Sequence, residues 1–125
     1  MKNKFELEYP INSSQKVLYN RLSTPGGLSE WFADDVNQNG NIFTFVWDGS
    51  ENQAEEIYRK DNKCIRFRWV DEEEAEPYFE FKIITHELTN DVALIIVDFA
   101  EDDEREEVIE LWDSQIAELK RNIGL

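Results

Sequence analysis

The spacing of apolar and polar positions changes period several times along the chain and marks out its elements. Residues 4–11, KFELEYPI, alternate, which puts Phe5, Leu7 and Tyr9 on one face of a first strand. Ser13 and Ser14 then offer N-caps to a segment carrying Val17, Leu18 and Leu22 at helical spacing. Thr24-Pro25 restarts a helix with a capping residue and a proline at the first helical position. This second short helix is expected to carry Leu28, Trp31 and Phe32 and to end before Asp34. From Asn41 the period becomes two, with Phe43, Phe45 and Trp47 on one side of a strand and Asp48-Gly49 as a strong turn signal. Residues 51–60 read as a weaker, charged strand with Ala54, Ile57 and Tyr58, closed by a turn at Asp61-Asn62. Cys64–Val70 sets Ile65, Phe67 and Trp69 against Arg66 and Arg68. After an acidic loop at Asp71–Glu76, Tyr78–His86 sets Phe79, Phe81 and Ile83 against Glu80 and Lys82. Asp91–Phe99 is a nearly continuous apolar strand.

The last element is a long amphipathic helix in which Val108, Leu111, Trp112, Ile116, Leu119 and Ile123 recur every three or four residues. Asp103 and Glu106 are read as a capping box at its start, and Gly124 as its stop. Five consecutive strands with short connections predict an antiparallel meander, one face aromatic and buried, the other charged and mostly wet. Only the C-terminal helix is long enough to cover the aromatic face. The expected class is α+β: a curved antiparallel sheet of about six strands, two short helices after the first strand, and a long C-terminal helix on the concave face. The 125 residues fit a single domain, 1–125, and repeats or linkers are not evident.

Charge narrows the function classes. A formal net charge of −15, from 13 basic and 28 acidic residues, repels phosphate backbones and anionic membranes, so neither nucleic-acid binding nor membrane insertion is expected. A basic protein partner suits such a surface. The N-terminal segment lacks the apolar core of a secretory signal, and the one cysteine permits no internal disulfide, which together suggest a cytoplasmic protein.

The element order, the segment STPGGLSEWFADDV and the ending LIIVDFAEDDEREEVIELWDSQIAELKRNIGL resemble the bacterial START-like domains of the helix-grip (SRPBCC) superfamily, related to chaperone-ATPase-activator homologues and polyketide-cyclase-like proteins. The resemblance spans essentially the whole chain and is most specific at Thr24, Pro25, Leu28, Trp31 and Phe32. It implies a hydrophobic cavity between sheet and long helix for a small lipid-like or aromatic molecule. Trp31, Phe32, Phe43, Phe45, Trp47, Phe67, Trp69, Phe81, Trp112 and Ile116 are the candidate lining residues. A packed core is the competing reading of so many large rings. Polar groups to orient a ligand are not evident on the inferred inner face, which counts against catalysis more than against binding.

Other chemistry reads weakly. Asp35, Asn37, Asn39 and Gly40 match the opening of a calcium loop, yet the twelfth position is Val46 rather than a bidentate glutamate. The segment is read instead as a junction between helix and strand. Cys64 and His86 fall on one predicted hairpin, but Cys64 shares the wet face with Arg66 and Arg68 and lacks a group to orient a base. The acidic runs Asp71–Glu76 and Glu101–Glu107 read as a solvated loop and a helix start rather than metal sites. Arg66 and Arg68 are expected to pair with Glu80 across the strands. Ile42, Val46, Ile84, Ile95 and Val97 fall on the wet side and suggest an apolar patch for a homodimer. The leading expectation is non-catalytic binding of a small hydrophobic molecule, with no cofactor and no metal. An acidic protein-interaction module resembling the chaperone-ATPase activators is the alternative.

Overall fold

Alternation in the sequence becomes a single sheet in the computed structural model, which describes residues 1–124. The elements are β1 (Asn3–Pro10), α1 (Gln15–Ser23), α2 (Pro25–Leu28), β2 (Asp35–Asn39), β3 (Ile42–Trp47), β4 (Ser50–Lys60), β5 (Cys64–Trp69), β6 (Phe79–Thr85), β7 (Val92–Ala100) and α3 (Arg105–Asn122). The strands order as β1-β7-β6-β5-β4-β3-β2, every neighbouring pair antiparallel. Strands β2 to β7 form a meander, and β1 returns to the free side of β7. The α+β helix-grip architecture therefore stands, with seven strands where about six were expected.

The additional strand is β2, in the stretch read as a junction. Its polar residues face water at a sheet edge, and Val36 is its buried residue. Such a strand has almost no apolar alternation to betray it. Asn37 and Asn39 pair with Thr44 and Ile42, and the turn itself is Gly40-Asn41, with Gly40 at φ 63°. The turn between β3 and β4 has φ 49° at Asp48 and φ 80° at Gly49, both left-handed, as a two-residue hairpin loop of the primed kind requires.

The short second helix also differs from expectation. It ends at Leu28, and Trp31 and Phe32 lie in the turns that follow, where the Leu28 carbonyl accepts from the Phe32 amide at 2.9 Å. Thr24 caps it, its hydroxyl accepting from the Gly27 amide at 2.9 Å and donating to the Asn20 carbonyl at 2.8 Å. The two helices meet so closely there that a methyl group on Gly27 would lie 2.3 Å from the Asn20 carbonyl oxygen.

Helix α3 lays Trp112, Ile116 and Leu119 onto the concave face, whereas Leu111, on its predicted stripe, is 59% exposed. The proposed capping box is absent. The helix begins after Glu104, which makes no side-chain capping bond, and Glu106 and Glu107 lie in the first turn where the dipole favours acids.

The convex face does not present the apolar patch suggested by the sequence. Val97, Ile95 and Ala93 are buried, while Ile42, Val46 and Ile84 are half-buried. Across the strands Val97 pairs with Glu6 and Glu80, and Ile95 with Glu8 and Lys82, whose long side chains share that face. Glu80, 2% exposed, takes a hydrogen bond from Arg66 at 3.1 Å, and the Arg66 guanidinium lies 4.2 Å from the centre of the Tyr78 ring. Arg68 does not join this pairing. Its guanidinium instead donates to the carbonyls of Glu74, Ala75 and Pro77, tying down the acidic loop. Ile57 and Tyr58 on β4 are exposed, at a bulge between Glu56 and Tyr58. Among the described residues no helix is long and apolar enough to cross a membrane.

The contact at Gly27 makes a direct test of the helix junction. Gly27→Ala should lower the urea-derived unfolding free energy by about 1–3 kcal/mol, the usual cost of forcing atoms into a packed site. Gly26→Ala, where an added methyl meets nothing within 4 Å, should be neutral or stabilising.

Candidate ligand-binding cleft

Strand register decides which side chains face α3. On β7, Leu94, Ile96 and Asp98 stand opposite Tyr9, Leu7 and Phe5 of β1, so Asp98 shares the concave face with the core. Phe79 and Phe81 of β6, Ile65, Phe67 and Trp69 of β5, and Phe43, Phe45 and Trp47 of β3 share that face. The turns after α2 drop Phe32 into the middle of them.

Four of these rings, Phe32, Trp47, Trp69 and Phe79, form a closed circuit with Trp112 of α3. Ring centres are 5.2 Å apart for Phe32–Trp47, 6.1 Å for Trp47–Trp69, 4.9 Å for Trp69–Phe79, 6.5 Å for Phe79–Trp112 and 5.8 Å for Trp112–Phe32. These lie within the range favoured by offset or edge-on ring pairs. The circuit and Asp98 wall a cleft of about 420 Å³, completed on the helix side by Val108, Leu111 and Gln115. The cleft lies under the N-terminal half of α3, where Val108 and Leu111 stay partly exposed; further along, Ile116 and Leu119 close onto the sheet.

Polar groups in the cleft are few and held in place. Trp112 Nε1 donates to Asp98 Oδ2 at 2.9 Å, and the Phe99 amide donates to Asp98 Oδ1 at 2.8 Å. The Phe32 carbonyl accepts from Trp47 Nε1 at 2.8 Å and from Gln115 Nε2 at 3.1 Å. Asp98 is the one ionisable side chain among the described residues lining the cleft. Burial pushes its carboxyl up to about 6, outweighing the two hydrogen bonds and the charge of Lys2, which act to lower it.

Of the ten candidate residues, Phe32, Trp47, Trp69 and Trp112 line this cleft. Trp31, Phe43, Phe45, Phe67, Phe81 and Ile116 lie in the packed interior beside and beneath it. Trp31 is anchored there by its own hydrogen bond, Nε1 to the Arg21 carbonyl at 2.8 Å. Phe79, Asp98, Val108, Leu111 and Gln115 were not among the candidates. The inner face, on which no orienting polar group was evident from the sequence, carries Asp98, and Gln115 meets the cleft from α3. Counting by twos from Leu94 and Ile96 reaches Asp98; its charge, at the end of an apolar run, masked that parity.

The remaining candidates do not assemble into chemistry. Cys64 stands opposite Lys82 on the convex face, and His86 lies four residues beyond Lys82, with Nε2 3.1 Å from Glu8. Burial pushes the Cys64 thiol up, the opposite of what an activated nucleophile needs. Asp35 pairs with Val46 within the sheet, and no group of three or more His, Cys, Asp or Glu among the described residues is arranged to hold a metal ion. A larger hollow of about 650 Å³ lies at the far end of β1, between Ile11, His86, Asp91 and Lys120. None of the packed phenylalanine and tryptophan rings lines it.

The chain belongs to the START-like superfamily, whose family model matches residues 1–125. It is 42% identical to BfR322 from Bacteroides fragilis, whose solution structure superposes with a TM-score of 0.70 over 99% of this chain and 93% of that one. The Aha1 dimer from Colwellia psychrerythraea is similar in fold at 18% identity, with a TM-score of 0.78 over 94% of this chain and 93% of that one. CalU16 from Micromonospora echinospora is similar at 12% identity, with a TM-score of 0.75 over 98% of this chain and 75% of that one. No curated protein matches the chain.

Asp98 links the cleft to stability in a way that can be measured. Its folded carboxyl titrates above its ordinary value of 3.8, so the folded state holds the proton more tightly than the unfolded one. The resulting stabilisation is complete below about pH 4 and is lost as the pH rises to about 6. Asp98→Asn removes this dependence. The difference in unfolding free energy between variant and parent should therefore move in the variant's favour by about 2 kcal/mol from pH 4 to pH 7. A difference that stays flat across that window would show that Asp98 is not desolvated.

Proposed function

We propose that this protein binds a small hydrophobic molecule, aromatic or lipid-like, in the cleft between sheet and α3, and releases it chemically unchanged. The closed circuit of five rings beneath an opening of about 420 Å³ carries this reading. That volume lies within the range of small-molecule sites, and an apolar wall with a few fixed polar groups is their usual composition. The absence of a nucleophile–base pair among the described cleft residues favours binding over catalysis. The START-like superfamily fold, generally a ligand-binding one, supports the same reading. The single free Cys64 suits a reducing, cytoplasmic setting.

A second reading rests on the charge of −15, which suits an acidic surface that docks a basic protein. A homodimer is a related reading, supported by fold similarity to a protein whose structure is a dimer. Capture of a basic partner that disappears at high salt would favour the first of these, and a dimer mass in light scattering the second.

The cleft reading is tested with an uncharged apolar dye such as Nile red. Saturable one-to-one binding with an increase in emission is expected. Leu111→Trp, at the exposed lip, should narrow the opening and weaken binding about tenfold, or about 1.4 kcal/mol, without changing the melting temperature. Dye binding that the variant leaves untouched, or no saturable binding at all, would contradict the assignment.

A further inference from the structure

We propose that the cleft selects a small organic cation, such as an alkylated or aromatic ammonium, over neutral and anionic molecules of the same shape. This rests on the cleft being the ligand site and names the charge of the molecule it takes.

The rings supply the first argument. An aromatic face carries negative charge density, and indole attracts a cation most strongly. Three of the five rings are indoles, Trp47, Trp69 and Trp112, arranged with Phe32 and Phe79 around one opening. Two of the indoles are fixed by hydrogen bonds, Trp47 to the Phe32 carbonyl and Trp112 to Asp98, so their rings are oriented before a ligand arrives.

Asp98 supplies the second. Each of its oxygens takes one hydrogen bond, and a carboxylate oxygen has room for another. A carboxyl that titrates near 6 is mainly ionised at pH 7, and a cation beside it offsets the burial that raises it. An acidic ligand would meet that same carboxylate in a partly dry site and be repelled.

The surroundings supply the third. Trp69 also lines the adjoining hollow, whose other members are Lys2, Asp71, Glu72, Glu73 and Glu74. Lys2, the basic residue there, has its Nζ 2.7 Å from Glu72 Oε1 and is already paired. The approach to the cleft is therefore acidic, which concentrates cations near the opening and disfavours anions.

The test compares three probes of one size on the unaltered protein, read by tryptophan fluorescence: benzyltrimethylammonium, its uncharged carbon isostere neopentylbenzene, and phenylmethanesulfonate. The cation should bind at least about tenfold tighter than the isostere, as a partly desolvated cation–aromatic contact together with a carboxylate allows. The anion should bind weakest. Asp98→Asn should erase most of the cation's advantage over the isostere; the probe comparison decides the matter even if that variant folds poorly. Equal or tighter binding of the isostere would overturn cation selectivity and leave the hydrophobic-ligand reading standing. Failure of all three to bind would overturn both.

Discussion

Phe32 is the residue on which the concave side of this protein depends. Its ring packs against those of Trp31, Phe45, Trp47, Phe79, Phe81 and Trp112, at centre distances from 5.1 to 5.9 Å. Its carbonyl takes hydrogen bonds from Trp47 on the sheet and Gln115 on α3. One residue from a short turn thus joins three parts of the fold: the α2 segment, the strands and the long helix. Thr24, Pro25 and Gly27 matter because they build the tight corner that delivers Phe32 to this position. The family's conspicuous turn-helix segment is therefore architectural, yet it places the floor of the cleft.

The aromatic packing also explains why a cleft exists. Flat rings on a curved sheet meet edge-on or tilted far more often than stacked, and they fill the deep interior, where Phe43, Phe45, Phe67 and Phe81 are fully buried. Near the start of α3 the helix offers Val108 and Leu111, which are too small or too exposed to close the remaining space. Asp98 borders that space. A carboxylate there costs stability at neutral pH, because burial strips its water and two hydrogen bonds restore only part of the loss. A group that destabilises its own fold while lining an opening has the signature of a functional residue.

Most of the fold was legible because long segments kept one period. The alternations at Phe43–Trp47 and Ile65–Trp69 and the helical stripe from Val108 to Ile123 each correspond to an element in the structure. Strand β2 escaped because an edge strand buries little, and Val36 alone gives no alternation to read. The end of α2 escaped because Trp31 and Phe32 keep helical spacing while their backbone has already turned. For the cleft, residue type identified the aromatic face but not the depth of each ring. Phe67 and Trp69 share a strand and a face, yet one is core and the other wall. Depth depends on where α3 crosses the sheet, which no local pattern encodes. Asp98 was readable in principle from strand parity; its setting against Trp112 required the helix.

The cleft holds a partly dry carboxylate among aromatic rings, and its titration can be followed directly from the Asp98 side-chain carboxyl carbon by NMR. A midpoint near 6 is expected, falling when an organic cation occupies the cleft. A midpoint near the ordinary value of 3.8, unmoved by such a cation, would mean that Asp98 is solvated and that the cleft between sheet and α3 does not form.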